Sequence, residues 1–244
     1  NIICAQLKDV AKKYGQDRIT GMLHEEHIEE ITEEHLIEDY NVKLFLTRQG
    51  YLKKIPLISL RSSGDQKLKE EDVIIQEIDA RNKADLILFS DKFTAYKIKV
   101  HEINDSKASS LGEYLENILG MGPGERILYM VATEDYSGHM LFSYQNGKSA
   151  KIPLSSYATK TNRKKLINAF SVVSPLVNMY HLEEDEDFFL SSDTRKGLVF
   201  NSGSVPVKAT RTAQGVQIML SRKGSQVISL QRLSESGITE PKFY

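Results

Sequence analysis

Leu44-Phe-Leu-Thr-Arg-Gln-Gly-Tyr-Leu-Lys-Lys-Ile-Pro56 reads as an apolar strand, a polar turn, a basic return strand and a stop. Gly50 supplies the backbone freedom that a tight hairpin turn demands. Pro56 cannot donate to a ladder and marks the strand's end. The same plan recurs at Leu86–Ile98, at Met140–Pro153 around Gly147, and at Phe188–Phe200 around Gly197, closing at Val205-Pro206. Copies start about 42 to 54 residues apart, the period of a blade or solenoid unit. A few strands with an apolar face cannot bury it alone, so neighbouring units must stack. The pattern predicts an all-β array of about four four-stranded blades.

Composition fits that reading. The 244 residues are 40% hydrophobic and 27% charged, as in globular proteins. No apolar run reaches the roughly 18 residues of a membrane span, and the start does not read as a signal peptide. A single cysteine, Cys4, excludes an internal disulfide framework and suits a reducing cytosol. The net charge of −1 hides a division. Residues 1–40 hold ten acids and four bases, whereas residues 41–244 hold 23 acids and 28 bases. The repeat region is therefore mildly basic, which matters for nucleic acid only if the bases gather on one face.

Outside the hairpins the chain divides into 1–40, 41–233 and a tail over 234–244. Ile2, Ile3, Leu7, Val10, Ala11 and Tyr14 have helical spacing, with Gly15 as the stop. This is expected to be the end of a longer helix. Arg18–Leu23 reads as a short strand and His24–Glu38 as an acidic helical turn. Further strands are expected at Lys54–Leu60, where apolar and polar residues alternate, and at Val73–Ile78, Ile127–Ala132, Phe170–Val173, Gly215–Ser221 and Gln226–Leu230. Residues 105–124 form a long connection with one helical turn and a glycine-rich end, Gly120-Met-Gly-Pro-Gly124.

Four stretches carry a resemblance. Lys13-Tyr-Gly-Gln-Asp-Arg-Ile-Thr20 resembles the KYGDxRRT segment at the exit of the coiled-coil arm of bacterial type IIA topoisomerase A subunits, gyrase and topoisomerase IV. Ile28–Asp39 is similar to the acidic IEDLI segment that precedes the first blade of their C-terminal domain. Val42–Pro56 resembles the VxxTLTxxGYIKRxP strand pair, and Arg211–Ile218 the RTAxGVxxI stretch of later blades. The resemblance implies a β-pinwheel, a propeller-like disc whose blades exchange strands, preceded by a short helix from the coiled-coil arm. Gyrases carry a QRRGGKG box after the first hairpin. Here the loop reads Arg61-Ser-Ser-Gly-Asp-Gln-Lys-Leu-Lys69, which favours a topoisomerase IV-like protein.

The resemblance also implies a role. The domain would bind and bend double-stranded DNA without cleaving it, because the cleavage tyrosine belongs to a domain upstream of the arm. Its partners in an A2B2 enzyme would be the cleavage part of the same polypeptide and the ATPase B chain, in the bacterial cytoplasm at the nucleoid. Magnesium and ATP would serve the full enzyme, an ATP-dependent topoisomerase, with no cofactor, small-molecule substrate or membrane for this part. The rival readings are a gyrase domain whose wrapping box has drifted and a propeller-like protein-interaction module.

The bases beside the hairpin turns are the candidate DNA contacts: Arg48, Lys53, Lys54, Arg61, Lys67, Lys97, Lys99, Lys148, Lys151, Arg195, Lys196, Arg222 and Lys223. The dense cluster Lys160, Arg163, Lys164 and Lys165 joins them. Repetition around a disc would turn these into a discontinuous basic rim that holds phosphates and gives affinity without sequence readout. Solvated lysines that guard strand edges are the plain alternative. No catalytic residue is assigned. His24, His27 and His35 lack a Cys–His framework, so no metal site is expected. Glu183–Asp187 reads as an acidic linker between units.

Overall fold

The computed structural model describes residues 2–16, 36–61, 64–159, 163–220 and 224–238. Two compact units result, Asn1–Ile37 and Glu38–Tyr244. In the first, helix α1 (Ile2–Tyr14) buries none of its residues, and Lys12 and Lys13 in its last turn complement the helix dipole. The Gly15 amide donates to the Ala11 carbonyl at 2.8 Å and closes the helix. The strand expected at Arg18–Leu23 and most of the turn expected at His24–Glu38 lie outside the described residues.

In the second unit the four repeated stretches are four antiparallel hairpins. They pair β1 (Asn41–Thr47) with β2 (Tyr51–Pro56), β4 (Asp85–Ser90) with β5 (Thr94–Lys99), β8 (His139–Tyr144) with β9 (Lys148–Pro153), and β12 (Asp187–Ser192) with β13 (Gly197–Asn201). Each first strand also pairs with a later inner strand: β3 (Ile74–Arg81), β7 (Ile127–Thr133), β11 (Leu176–Leu182) or β15 (Val227–Arg232).

The outer strands are short and come from elsewhere in the chain. β6 (Glu113–Tyr114) follows the second hairpin but pairs with β2 of the first. β10 (Lys165–Ile167) follows the third hairpin and pairs with β5, and β14 (Val216–Gln217) follows the fourth and pairs with β9. Every outer strand is thus donated by the next module along the chain. The sheets read β3-β1-β2-β6, β10-β5-β4-β7, β11-β8-β9-β14 and β13-β12-β15, the β-pinwheel arrangement. Among the described residues the fourth blade has three strands, and its donor would have to follow β15.

The apolar runs of the hairpins follow from where each blade sits. Side chains alternate across a strand, and a blade between two neighbours buries both faces. On β4, Leu86 and Leu88 join the core shared with β1, whereas Ile87 and Phe89 join the core shared with β8. On β8, Met140, Phe142 and Tyr144 face the second blade and Leu141 faces the fourth. Between blades 2 and 3, Phe142 stacks on Phe170 at 5.4 Å while Phe89 meets Tyr157 edge-on at 5.2 Å.

Two strand expectations are corrected. β2 stops at Pro56, and Leu57–Leu60 forms a one-turn helix, α2. Phe170–Val173 is not a strand. Phe170 fills the core between blades 2 and 3, while Val172 and Val173 are 58% and 61% exposed on a loop leading to β11. The helical turn expected in the long connection is α3 (Leu115–Leu119), closed by Gly120 in the left-handed region.

Strand exchange depends on close backbone approach. Gly215 has φ +76°, and a Cβ there would lie 1.9 Å from the Ser149 carbonyl oxygen, where β14 meets β9. Gly215→Ala is expected to detach β14 and cost about 2 kcal/mol in a denaturant melt. An unchanged melt would show that this junction is not needed.

Candidate nucleic-acid interface

The hairpins, inner strands and connections put the candidate bases in three different settings. Arg48, Arg61, Lys67, Arg163, Lys164, Lys165, Arg195 and Lys196 are exposed. Lys97, Lys99 and Lys148 are half-buried, and Lys53, Lys54 and Lys151 are buried. Lys160, Arg222 and Lys223 lie outside the described residues.

The buried lysines are a correction to the rim reading, and register explains them. Lys54, Lys97 and Lys151 stand opposite Leu44, Ile87 and Leu141, the same position in three successive hairpins. At that position the backbone receives the incoming connection. Ser106 donates to the Lys54 carbonyl at 2.7 Å and Lys208 to the Lys151 carbonyl at 2.8 Å, and the Lys97 amide donates to the Lys164 carbonyl at 2.8 Å.

The ammonium groups complete the clasp. Lys54 Nζ donates to Asn82 Oδ1 at 2.9 Å, pairs with Asp105 at 2.9 Å and lies over the Tyr40 ring. Burial and the bond to Asp105 push the Tyr40 hydroxyl up to about 12. Lys151 pairs with Asp185, which also accepts from Ser202 Oγ at 2.7 Å. Lys97 Nζ donates to Thr159 Oγ1 at 3.2 Å and sits 4.9 Å from the Tyr136 ring centre. Lys53 points the other way and donates to the Lys67 and Ala108 carbonyls, and burial pulls its ammonium below the usual lysine range. These side chains hold exchanged connections in place and are not presented to a phosphate.

The exposed bases sit at two kinds of place. Arg48, Arg195 and Lys196 flank hairpin turns. Arg163, Lys164 and Lys165 lie on the outer strand of blade 2 or just before it, not in a free loop. Lys165 Nζ lies 5.1 Å from the Tyr96 ring centre, and Lys164 pairs with Glu102 at 2.7 Å. Of the half-buried bases, Lys99 meets Asp85 at 3.0 Å and Lys148 donates to Gln214.

Sequence reasoning passed over two bases, the exposed Lys208 and the half-buried Arg211, on the connection that carries β14. The signal was available: residues 202–226 contain four bases and no acid. The inner strands present the opposite sign. Glu77, Asp79, Glu183, Glu186 and Glu235 border the cavity between β3, β7, β11 and β15, with Arg232 paired to Glu186 at 2.7 Å. The acidic linker is therefore partly structural, since Asp185 and Glu186 both hold buried or half-buried bases. Among the described residues no group of three or more His, Cys, Asp or Glu is arranged to hold a metal, and no helix is long and apolar enough to cross a membrane.

Acid is expected to weaken the fold in two steps. Burial, aided by Lys151, holds His139 below its ordinary 6.5. Burial pushes Glu125 up, but bonds from Ser90, the Gly122 amide and Tyr96 outweigh it and leave the carboxyl below 4.5. Lys151 and Ser202 hold Asp185 below 3.8. In each case the unfolded chain takes the proton first, so this stability is complete above the unfolded value and is lost as pH falls through the folded one. Thermal melts should be flat above about pH 6.5, fall as His139 begins to resist charging, and fall again below about pH 4.5. His139→Gln should remove the upper step alone; persistence of both steps would contradict the assignment.

No protein-family model matches the chain. It is 28% identical over 226 residues to the GyrA-type chain of the DNA gyrase of Brachyspira hyodysenteriae, covering 88% of this chain and 27% of that protein. It is 24% identical over 244 residues to the corresponding chain of DNA topoisomerase 4 from Staphylococcus aureus, covering 97% of this chain and 30% of that protein. The chain spans less than a third of the length of these relatives. Among solved structures, the C-terminal domain of DNA topoisomerase IV superposes with a TM-score of 0.69 at 24% identity, over 81% of the chain and 62% of that domain. The homologues of this chain are thus the A subunits of gyrase and topoisomerase IV, and its blades have the fold of their C-terminal domain.

Proposed function

We propose that this chain is a non-catalytic, DNA-binding C-terminal domain of a type IIA topoisomerase A subunit, of the topoisomerase IV kind. The observation that carries the reading is the charge on the exchanged connections. Exposed Arg163, Lys164, Lys165 and Lys208 lie on the connections that supply outer strands, while the cavity between inner strands is bordered by carboxylates. A duplex is therefore drawn to the outside of the disc and repelled from its middle. Contacts to phosphates alone would bend or guide DNA of any sequence, with the bending cost of a few kcal/mol offset by the extra contacts that bending permits.

In the whole enzyme the domain would present a duplex to a cleavage core outside this chain. Strand passage there would draw on ATP hydrolysed by the B subunit of an A2B2 assembly and on magnesium at the cleavage centre. The topoisomerase IV side of the reading rests on the Arg61–Lys69 loop, which lacks the gyrase box, and on the superposition with the topoisomerase IV domain.

Ligase-mediated circularisation of a short duplex tests the proposal. Guiding predicts faster circularisation with an unchanged linking-number distribution. A shifted linking number would point instead to gyrase-type wrapping. No effect on circularisation at saturating protein would reject both.

A further inference from the structure

Each connection between a hairpin and its inner strand runs over the outer edge of the preceding blade, so its charge is the charge of that edge. Residues 100–126, over blade 1, hold five acids and two bases. Residues 154–175, over blade 2, and 202–226, over blade 3, hold four bases each and no acid. The two basic connections touch. Ser156 Oγ donates to the Ala209 carbonyl at 3.1 Å, and the Arg211 guanidinium lies 6.0 Å from the Tyr157 ring centre. At its other side the basic stretch meets the acidic one directly, through Lys164 and Glu102 at 2.7 Å.

We infer that the duplex lies on one continuous arc over blades 2 and 3 and leaves the disc at the Lys164–Glu102 pair, with the edge of blade 1 excluded from the path. The inference rests on the DNA-binding reading and narrows it from a rim to an arc. Two contiguous edges of one sign focus the potential there, and the next edge reverses it. On the blade 1 edge, Glu113 accepts from Asn104 Nδ2 at 2.5 Å and Glu116 from the Tyr114 hydroxyl at 2.7 Å, bonds that fix the carboxylates facing any duplex that continued onwards.

The test uses the full chain, a long linear duplex, equilibrium binding and hydroxyl-radical footprinting, with circular dichroism melts to confirm folding. Arg163→Gln with Lys164→Gln is expected to weaken binding roughly tenfold or more, and Lys208→Gln several-fold. Lys107→Gln with Arg126→Gln, which removes both bases of the blade 1 edge, should change affinity less than twofold. Glu113→Lys with Glu116→Lys should lengthen the protected stretch. If the Lys107/Arg126 variant lost as much affinity as the Arg163/Lys164 variant, or the reversed edge left the footprint unchanged, the arc would be wrong while DNA binding stood. If the unmodified chain bound no DNA at low salt, the underlying reading itself would fail.

Discussion

Replacing Arg163, Lys164 and Lys165 together by glutamine is expected to weaken duplex binding by well over tenfold at low salt and to flatten its salt dependence. Each phosphate neutralised by a base contributes about −0.9 to the slope of log affinity against log salt, so losing three contacts should make the slope shallower by about 2 to 3. The three residues lie at the outer strand of blade 2, and that strand adds only three residues to the ladder with β5. Glutamine keeps the apolar stems that run along the blade, and stability should change by less than about 1 kcal/mol. The loss should be alike for unrelated sequences, because phosphate contacts carry no base readout. A variant that bound as tightly as the parent, with an unchanged slope, would move the contact surface elsewhere on the disc.

Lys54→Ala is expected to do the reverse, lowering stability by about 2–4 kcal/mol while leaving the affinity of the folded protein within twofold. Lys54 is 2% exposed and joins three parts of the chain through Asn82, Asp105 and its own strand. Truncation removes the packed stem and leaves the Asn82 carbonyl oxygen without its donor. Asp105 is 44% exposed and can recover water, so the ion pair itself contributes only a part. Denaturant melts and duplex titrations of the same sample separate the two effects. A Lys54→Ala protein that was as stable as the parent but bound DNA poorly would return this lysine to the interface.

The contrast between these two sites shows what the sequence carries and what it leaves out. The four hairpins are legible because each blade is buried on both faces, which leaves runs such as Leu86–Phe89 without a polar break, and because Gly50, Gly147 and the prolines punctuate them. The strand exchange is not legible. β6 and β14 are two residues long, too short to show a period of two, and their partners lie in the preceding module. Phe170–Val173 misled for a related reason, since an aromatic filling an interface between blades looks the same in sequence as one on a strand.

The bases were visible as residues but not by setting. Lys54 and Lys151 recur in the same Lys-Ile-Pro context, and that recurrence inside a buried ladder was the clue that they are structural. Lys208 and Arg211 were missed because they are scattered. They gain meaning only once exchange brings their connection against residues 154–175.

The most direct test of the account is a titration of this chain on a linear duplex across a range of salt concentrations. Four to six neutralised phosphates predict micromolar or tighter binding at low salt with a slope of roughly −4 to −5. Absence of binding at low salt, or binding whose slope is near zero, would contradict a phosphate-holding outer edge and leave the disc as a surface for proteins.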